Sequence, residues 1–196
     1  MQKLDRTTLH SLEEYAGMRD AYRREAIAHR KLRRVPVTPN IVLYFEDFTT
    51  LKYQVQEILR AEKVFEAEGI QEEIDAYNPL IPDGTNLKAT FMLEYQDVDE
   101  RRVRLGELVG IEDKVYVQIG DLAKVYAISD EDLERSTEDK TSAVHFCRFE
   151  LDADMIAAAK SGAAIKVGTD HPNLSAETTL EGPSRESLAA DLDAPH

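Results

Sequence analysis

Three stretches of alternation restrict this chain more than any other feature. Leu87, Ala89, Phe91, Leu93 and Tyr95 alternate with Lys88, Thr90, Met92 and Glu94. Val115, Val117 and Ile119 alternate with polar partners, and Ala143, His145, Cys147, Phe149 and Leu151 share one face opposite Val144, Phe146, Arg148 and Glu150. A period of two belongs to strands with one buried face, which are the usual components of antiparallel sheets. Gly120-Asp121 follows Ile119 and suits a two-residue hairpin turn with glycine first, so Leu122 to Ile128 is predicted to return as the second strand of a hairpin. Ser129 to Arg135 then reads as a capped acidic turn.

Helical signals separate these strands. Ser11-Leu12-Glu13-Glu14 has the capping-box form and predicts a helix from Leu12 to Arg34, with Gly17 as a point of interruption. Tyr15, Met18, Tyr22, Ala26, His29 and Leu32 recur at steps of three and four and are predicted to face the body, leaving Arg23, Arg24, Arg30, Lys31, Arg33 and Arg34 mostly outside the stripe. Pro36 and Pro39 stop the helix, and Ile41 to Phe45 reads as a strand covered on both faces. A second long helix, capped by Asp47 or Thr49, carries Leu51, Val55, Ile58, Glu62 and Phe65 on its inner side and is predicted to end at Gly69. A shorter helical piece holds Ile74 and Tyr77, followed by the turn-rich loop Asn78 to Asn86. Asp97 opens a helix that ends at Gly110, Asp152 caps a short helix that ends near Gly162, and Ala163 to Thr169 reads as the final strand. The order predicts an α+β fold with a mostly antiparallel sheet of five or six strands and helices packed on it. No Gly-rich strand-to-helix turn supports a doubly wound sheet. Residues 1–172 are expected to form one domain with the basic helix 11–34 at its start. Residues 173–196 read as a disordered acidic tail of Ser, Glu, Ala, Asp and Pro.

Charge is uneven along the chain. Residues 1–34 hold 9 Lys/Arg against 5 Asp/Glu, or +4, and residues 35–196 hold 15 against 33, or −18. Phosphate repulsion from such a body makes general nucleic-acid binding unlikely and leaves only the basic helix, residues 19–34, for it. That helix could also meet an acidic partner or, as the favoured reading, the protein's own acidic body. The longest apolar runs are too short to cross a bilayer, and the polar start leads into no apolar signal region, so no membrane association and a cytoplasmic location are expected. The single cysteine, Cys147, excludes an internal disulfide and a thiolate zinc cage.

The common phosphate-loop, dinucleotide, serine-hydrolase, zincin, thiol-redox and di-iron motifs are absent from the sequence. Glu62 stands out because the inner stripe of the second helix places a carboxylate where burial is costly. His29 and His145 also lie on inward faces. One glutamate and two histidines would suit a transition metal, iron, manganese or zinc, with open positions. The plain alternative is a satisfied core, with both histidines bonded to backbone and Glu62 paired with Arg60, Arg148 or an arginine of the first helix. Further candidates are Asp170 and His171, a carboxylate beside an imidazole in Asp170-His171-Pro172, and Asp83 in a loop placed to cover a pocket. A turn explains the first pair as well. Cys147 is expected to be buried and inert.

Several stretches carry a resemblance: Ser11-Leu12-Glu13-Glu14-Tyr15, Phe65 to Glu73, Ala76 to Gly84, Lys140 to Phe146, and Asp170-His171-Pro172. Over roughly residues 3 to 172 the chain resembles a bacterial family of unknown function. Members of that family are often encoded beside a rubrerythrin-like protein and an iron-sulphur protein similar to heterodisulfide reductase subunits. The resemblance carries over no catalytic residues. It implies, by association, an accessory role in redox or peroxide metabolism with a redox protein as partner.

Overall fold

The computed structural model describes residues 2–193. In chain order the elements are α1 (Leu12–Arg33), β1 (Arg34–Pro36), β2 (Ile41–Phe45), α2 (Phe48–Glu62), α3 (Ala67–Tyr77), a 3-10 turn (Asn78–Leu80) and β3 (Asn86–Leu93). Then come α4 (Val98–Glu107), a second 3-10 turn (Ile111–Asp113), β4 (Val115–Ile119), β5 (Val125–Tyr126), β6 (Ile128–Ser129) and β7 (Val144–Glu150). The chain continues through α5 (Ala153–Lys160), β8 (Ile165–His171), β9 (Leu174–Leu180) and α6 (Gly182–Ala189). Every strand pairing is antiparallel, as the alternation predicts, and the fold is α+β.

The strands form two sheets, ordered β1-β2-β3-β7-β6 and β5-β4-β8-β9. The hairpin after Ile119 is present, with Tyr116 opposite Tyr126. Its return strand is cut short, however: β5 stays with β4, while β6, two residues on, pairs with β7 of the other sheet. This short segment is a corner that joins the sheets, so the alternating faces of both can close on one another. The main core lies between them, with Ile41, Leu43, Phe45, Leu87, Phe91 and Phe149 from the first sheet against Val115, Val117, Ile119, Ile165 and Val167 from the second. Each such side chain contributes about 1.5–3 kcal/mol on burial. A second cluster, Leu4, Leu51, Val55, Leu59, Ile74 and Ile81, holds α2 and α3 to the N-terminal segment.

Three expectations are corrected. The segment after residue 172 is not a structureless tail: β9 runs the length of β8 in register from His171 opposite Leu174 to Ile165 opposite Leu180, and α6 follows it. Leu180, Leu188, Ala189 and Leu192 enter the main core, which supplies the burial that composition alone concealed. The last three residues of the expected tail, 194–196, lie outside the described residues. The second helix ends at Glu62, because Lys63 takes the left-handed conformation (φ 55°) and returns its N–H to the Leu59 and Arg60 carbonyls. Gly69 lies inside α3, and Phe65, beyond the end of α2, is 74% exposed. The inner stripe of α2 is Leu51, Val55 and Leu59, a clean four-residue step that rotates Glu62 into solvent. On α1 the capping box forms as predicted, with Ser11 and Glu14 exchanging bonds, but the buried positions are Tyr15, Ala26 and Arg33, and Leu32 faces outward.

Candidate functional site

The structure does not bring His29, Glu62 and His145 together. Glu62 is exposed at the last turn of α2, and the histidines sit in separate hydrogen-bonded clusters. Among the described residues no group of three or more His, Cys, Asp or Glu is placed to hold a metal ion. The proposed iron, manganese or zinc centre therefore has no ligand set here.

His145, inward on β7 as its phase predicts, is fully buried and stacks on Phe91 across the β3–β7 pair. Its Nδ1 donates to Asp130 Oδ2 at 2.6 Å, and its Nε2 faces the Ser142 carbonyl at 3.1 Å and Thr141 Oγ1 at 2.8 Å. Thr141 Oγ1 in turn donates to Glu112 Oε2 at 2.9 Å, and Ser136 donates to the other Glu112 oxygen. Asp130, held in a left-handed conformation (φ 54°), also accepts from the Phe146 N–H and from Arg135. The cluster thus fastens the irregular segment 130–142 to the sheet. Thr141 is 1% exposed and His145 0%, so the imidazole is shut off from solvent, while Glu112, Asp130 and Ser136 reach a surface pocket. Cys147 lies buried on the same face of β7, and burial pushes its thiol up to about 12.

His29 Nε2 meets Asp47 Oδ2 at 2.5 Å. Asp47 caps α2 by accepting from the Thr50 N–H, and Arg33 lies 3.4 Å from the same carboxylate. Arg33 is the centre of this cluster. It is 1% exposed, donates from Nε to the Phe45 carbonyl at 2.9 Å and from Nη2 to the Glu46 carbonyl at 3.0 Å, and pairs with Asp191 beyond α6. Its Nη1 reaches the Ser187 carbonyl and hydroxyl. Burial pushes the Asp191 carboxyl up to about 6, against the opposing pull of Arg33. The signal for Arg33 existed in the sequence, since Tyr15, Tyr22, Ala26, His29 and Arg33 recur as regularly as a stripe ending at Leu32. Asp191, Glu112 and Asp130 carried no such signal, because tertiary folding alone brings them to their partners.

The remaining candidates have structural partners. Asp170 accepts from Tyr126 Oη at 2.6 Å on one face of β8, while His171, on the other face, donates from Nε2 to the Val109 carbonyl at 3.0 Å. The two point apart, and Pro172-Asn173 forms the turn into β9. Asp83 accepts from the N–H and hydroxyl of Thr85, and these bonds outweigh the effect of burial and hold its carboxyl below the usual range. Arg148 is clamped by Glu131 through two bonds and by Glu150. The 3-10 turn at the start of the Asp83 loop does cover a cavity, whose opposite wall is the outer face of β3 and β7 including Arg148.

The basic helix divides by face. Arg19 pairs with Glu57, Arg33 with Asp47 and Asp191, and Arg34 with Glu94, so the acidic body neutralises three of its cations. Arg23, Arg24, Arg30 and Lys31 point outward around Ile27, which is 41% exposed, and among the described residues none of the four has an ion pair. At 100° per residue the four fall in one arc of about 120° that begins beside Ala26, where half-buried Arg30 lies one turn on, and runs away from the buried line of Tyr15, Ala26 and Arg33.

Two antiparallel sheets closed over one core, a helical layer with its own core and a cationic outer helix define an α+β protein. The chain belongs to the DUF3501 family, described as a protein of unknown function, whose model matches residues 3–192. It is similar to the protein in a 1.90 Å crystal structure of a novel protein of unknown function from Burkholderia pseudomallei K96243. The two are 49% identical with a TM-score of 0.91, covering 98% of this chain and 100% of that one. No curated protein matches it. The family match runs past residue 172 and takes in β9 and α6. Among the described residues no helix is long and apolar enough to cross a membrane.

Proposed function

We propose that this protein is an accessory component of a redox system and that it docks to an acidic surface of an iron-sulphur or rubrerythrin-like partner through the outer face of α1. One observation carries the reading: four unpaired cations surround an exposed isoleucine on a chain whose formal net charge is −14. Cations left free on so acidic a protein face a partner of opposite sign, and the apolar centre with a charged rim has the anatomy of a protein interface. The nature of the partner rests on the family association with rubrerythrin-like and iron-sulphur proteins. Nucleic acid fits less well, since the acidic body would repel phosphates beyond the footprint of one helix.

The test is affinity capture from native extract at low salt. The wild-type chain is compared with the charge reversal R23E/R24E/R30E/K31E, and retained proteins are identified by mass spectrometry and by iron-sulphur absorbance. A redox protein should be retained by the wild type, released by salt and lost with the variant. Retention of no redox protein, of nucleic acid alone, or equal retention by the variant defeats the proposal.

A further inference from the structure

A cavity of 490 Å³ lies on the seam between the two cores. One wall is the outer face of the first sheet, with Lys88, Phe146 and Arg148, and the other is the end of α3 and its 3-10 turn, with Tyr77 and Leu80. Its size and mostly apolar lining are those of small-molecule sites. The turn is held off the sheet by bonds to backbone. Lys3 Nζ donates to the Asn78 and Ile81 carbonyls, Lys88 Nζ donates to Pro79 and Ile81, and the Asn78 amide exchanges bonds with the backbone of Leu4. Braced in this way, the wall cannot collapse onto Phe146 and fill the space.

The charges around the cavity select its occupant. Lys88 is committed to two carbonyls, and Arg148 is clamped by Glu131 and Glu150, so neither cation is free for an anionic guest. Asp132 is answered by Arg135. Glu46 is different. It lines the cavity at 5% exposure, and its two oxygens accept only from the neutral hydroxyls of Thr90 (3.0 Å) and Thr50 (2.6 Å). Among the described residues no lysine, arginine or histidine lies within ion-pair distance of it. Arg33, bonded to its main-chain carbonyl, pairs with Asp191 and Asp47 instead. A buried carboxylate with hydroxyl donors and no counter-charge is one that an incoming cation completes. The geometry points to a binding site for a small organic cation, a primary ammonium on an apolar ring-sized body, with the ammonium on Glu46 and the ring between Tyr77, Leu80 and Phe146.

The probe is benzylamine, with benzoate and benzyl alcohol as matched controls, titrated into the full chain and followed by amide chemical shifts. Benzylamine should shift residues 77–80, 88–89 and 146–148 saturably, while benzoate should not. Glu46→Gln, which keeps acceptors for both threonines, should weaken benzylamine by about tenfold or more. Leu80→Trp, which fills the cavity without touching Glu46, should abolish binding and covers the case in which the Glu46 variant fails to fold. Benzoate binding as well as benzylamine, benzylamine shifts elsewhere or absent up to millimolar concentration, or undiminished binding by folded Glu46→Gln or Leu80→Trp would each overturn the assignment.

Discussion

Replacing Arg33 by methionine keeps the unbranched stem as far as the position of Nε and deletes the guanidinium. The substitution strands a specific set of groups. The Phe45 and Glu46 carbonyls at the end of β2 lose buried donors, Ser187 loses two bonds, and Asp191 loses its ion pair while still buried. Asp47 is buffered, because the Thr50 N–H and His29 remain bonded to it. Removing one partner of a buried ion pair costs about 3–5 kcal/mol, most of it the penalty on the charge left behind. For a chain of this length about 2–4 °C of melting temperature follows each kcal/mol, so the midpoint should drop by roughly 6–20 °C. The sign of the pH effect is also fixed. Burial raises the Asp191 carboxyl and Arg33 pulls it down, the balance lying at about 6, so in the variant Asp191 rises further and is neutral in acid. The loss should therefore be smallest below pH ~5 and grow through neutrality. Urea denaturation of wild type, Arg33→Met, Asp191→Leu and the double variant at two pH values measures both effects. The double variant should recover part of the loss. A single-variant loss under ~1 kcal/mol, or strict additivity in the double variant, would refute the assignment of Arg33 as a buried ion-pair centre.

Asp191→Asn isolates the titration. The folded carboxyl sits near 6 against an ordinary value of 3.8, so its contribution is fully present below pH 3.8 and is lost as pH rises through about 6. A shift of that size corresponds to ~3 kcal/mol, and the stability difference between wild type and Asp191→Asn should change across that window and not above it. At Gly168 an added Cβ would come within 2.6 Å of Tyr116 Oη and 2.7 Å of the Ala176 carbonyl, so Gly168→Ala should destabilise by ~1–3 kcal/mol in thermal melts. Lys63 holds a left-handed conformation that glycine adopts freely, and Lys63→Gly should raise the unfolding free energy measured by urea denaturation by roughly 0.5–1 kcal/mol. Cys147, buried with its thiol raised to about 12, should resist a thiol reagent in the native protein and react on unfolding; fast native labelling would contradict the packing of β7.

What could be read from the sequence follows the range of the forces involved. Alternation in Leu87–Leu93 and Val115–Ile119, the caps at Ser11, Asp47, Asp97 and Asp152, and the proline stops are local, and the structure has them where the pattern puts them. β9 is local too, since Leu174, Ala176, Thr178 and Leu180 are covered while Ser175, Glu177 and Thr179 are exposed, but the two middle members of the covered set are small and one is polar, which hides the alternation. The site was less legible. Glu62 reads as inward only if the stripe runs through Ile58, whereas the buried line of α2 runs through Leu51, Val55 and Leu59 and leaves Glu62 exposed in the last turn. His145 was correctly placed inward, yet its partners Asp130 and Thr141 come from an irregular segment with no period to follow.

The bond between Arg33 and Asp191 spans 158 positions of a 196-residue chain. Asp47 lies close to Arg33 along the chain and can meet the guanidinium early, whereas the pair with Asp191 must close a loop that contains both sheets. Contacts of such separation form late and slowly. The link from the end of α1 to the segment after α6 is thus expected among the later contacts of folding.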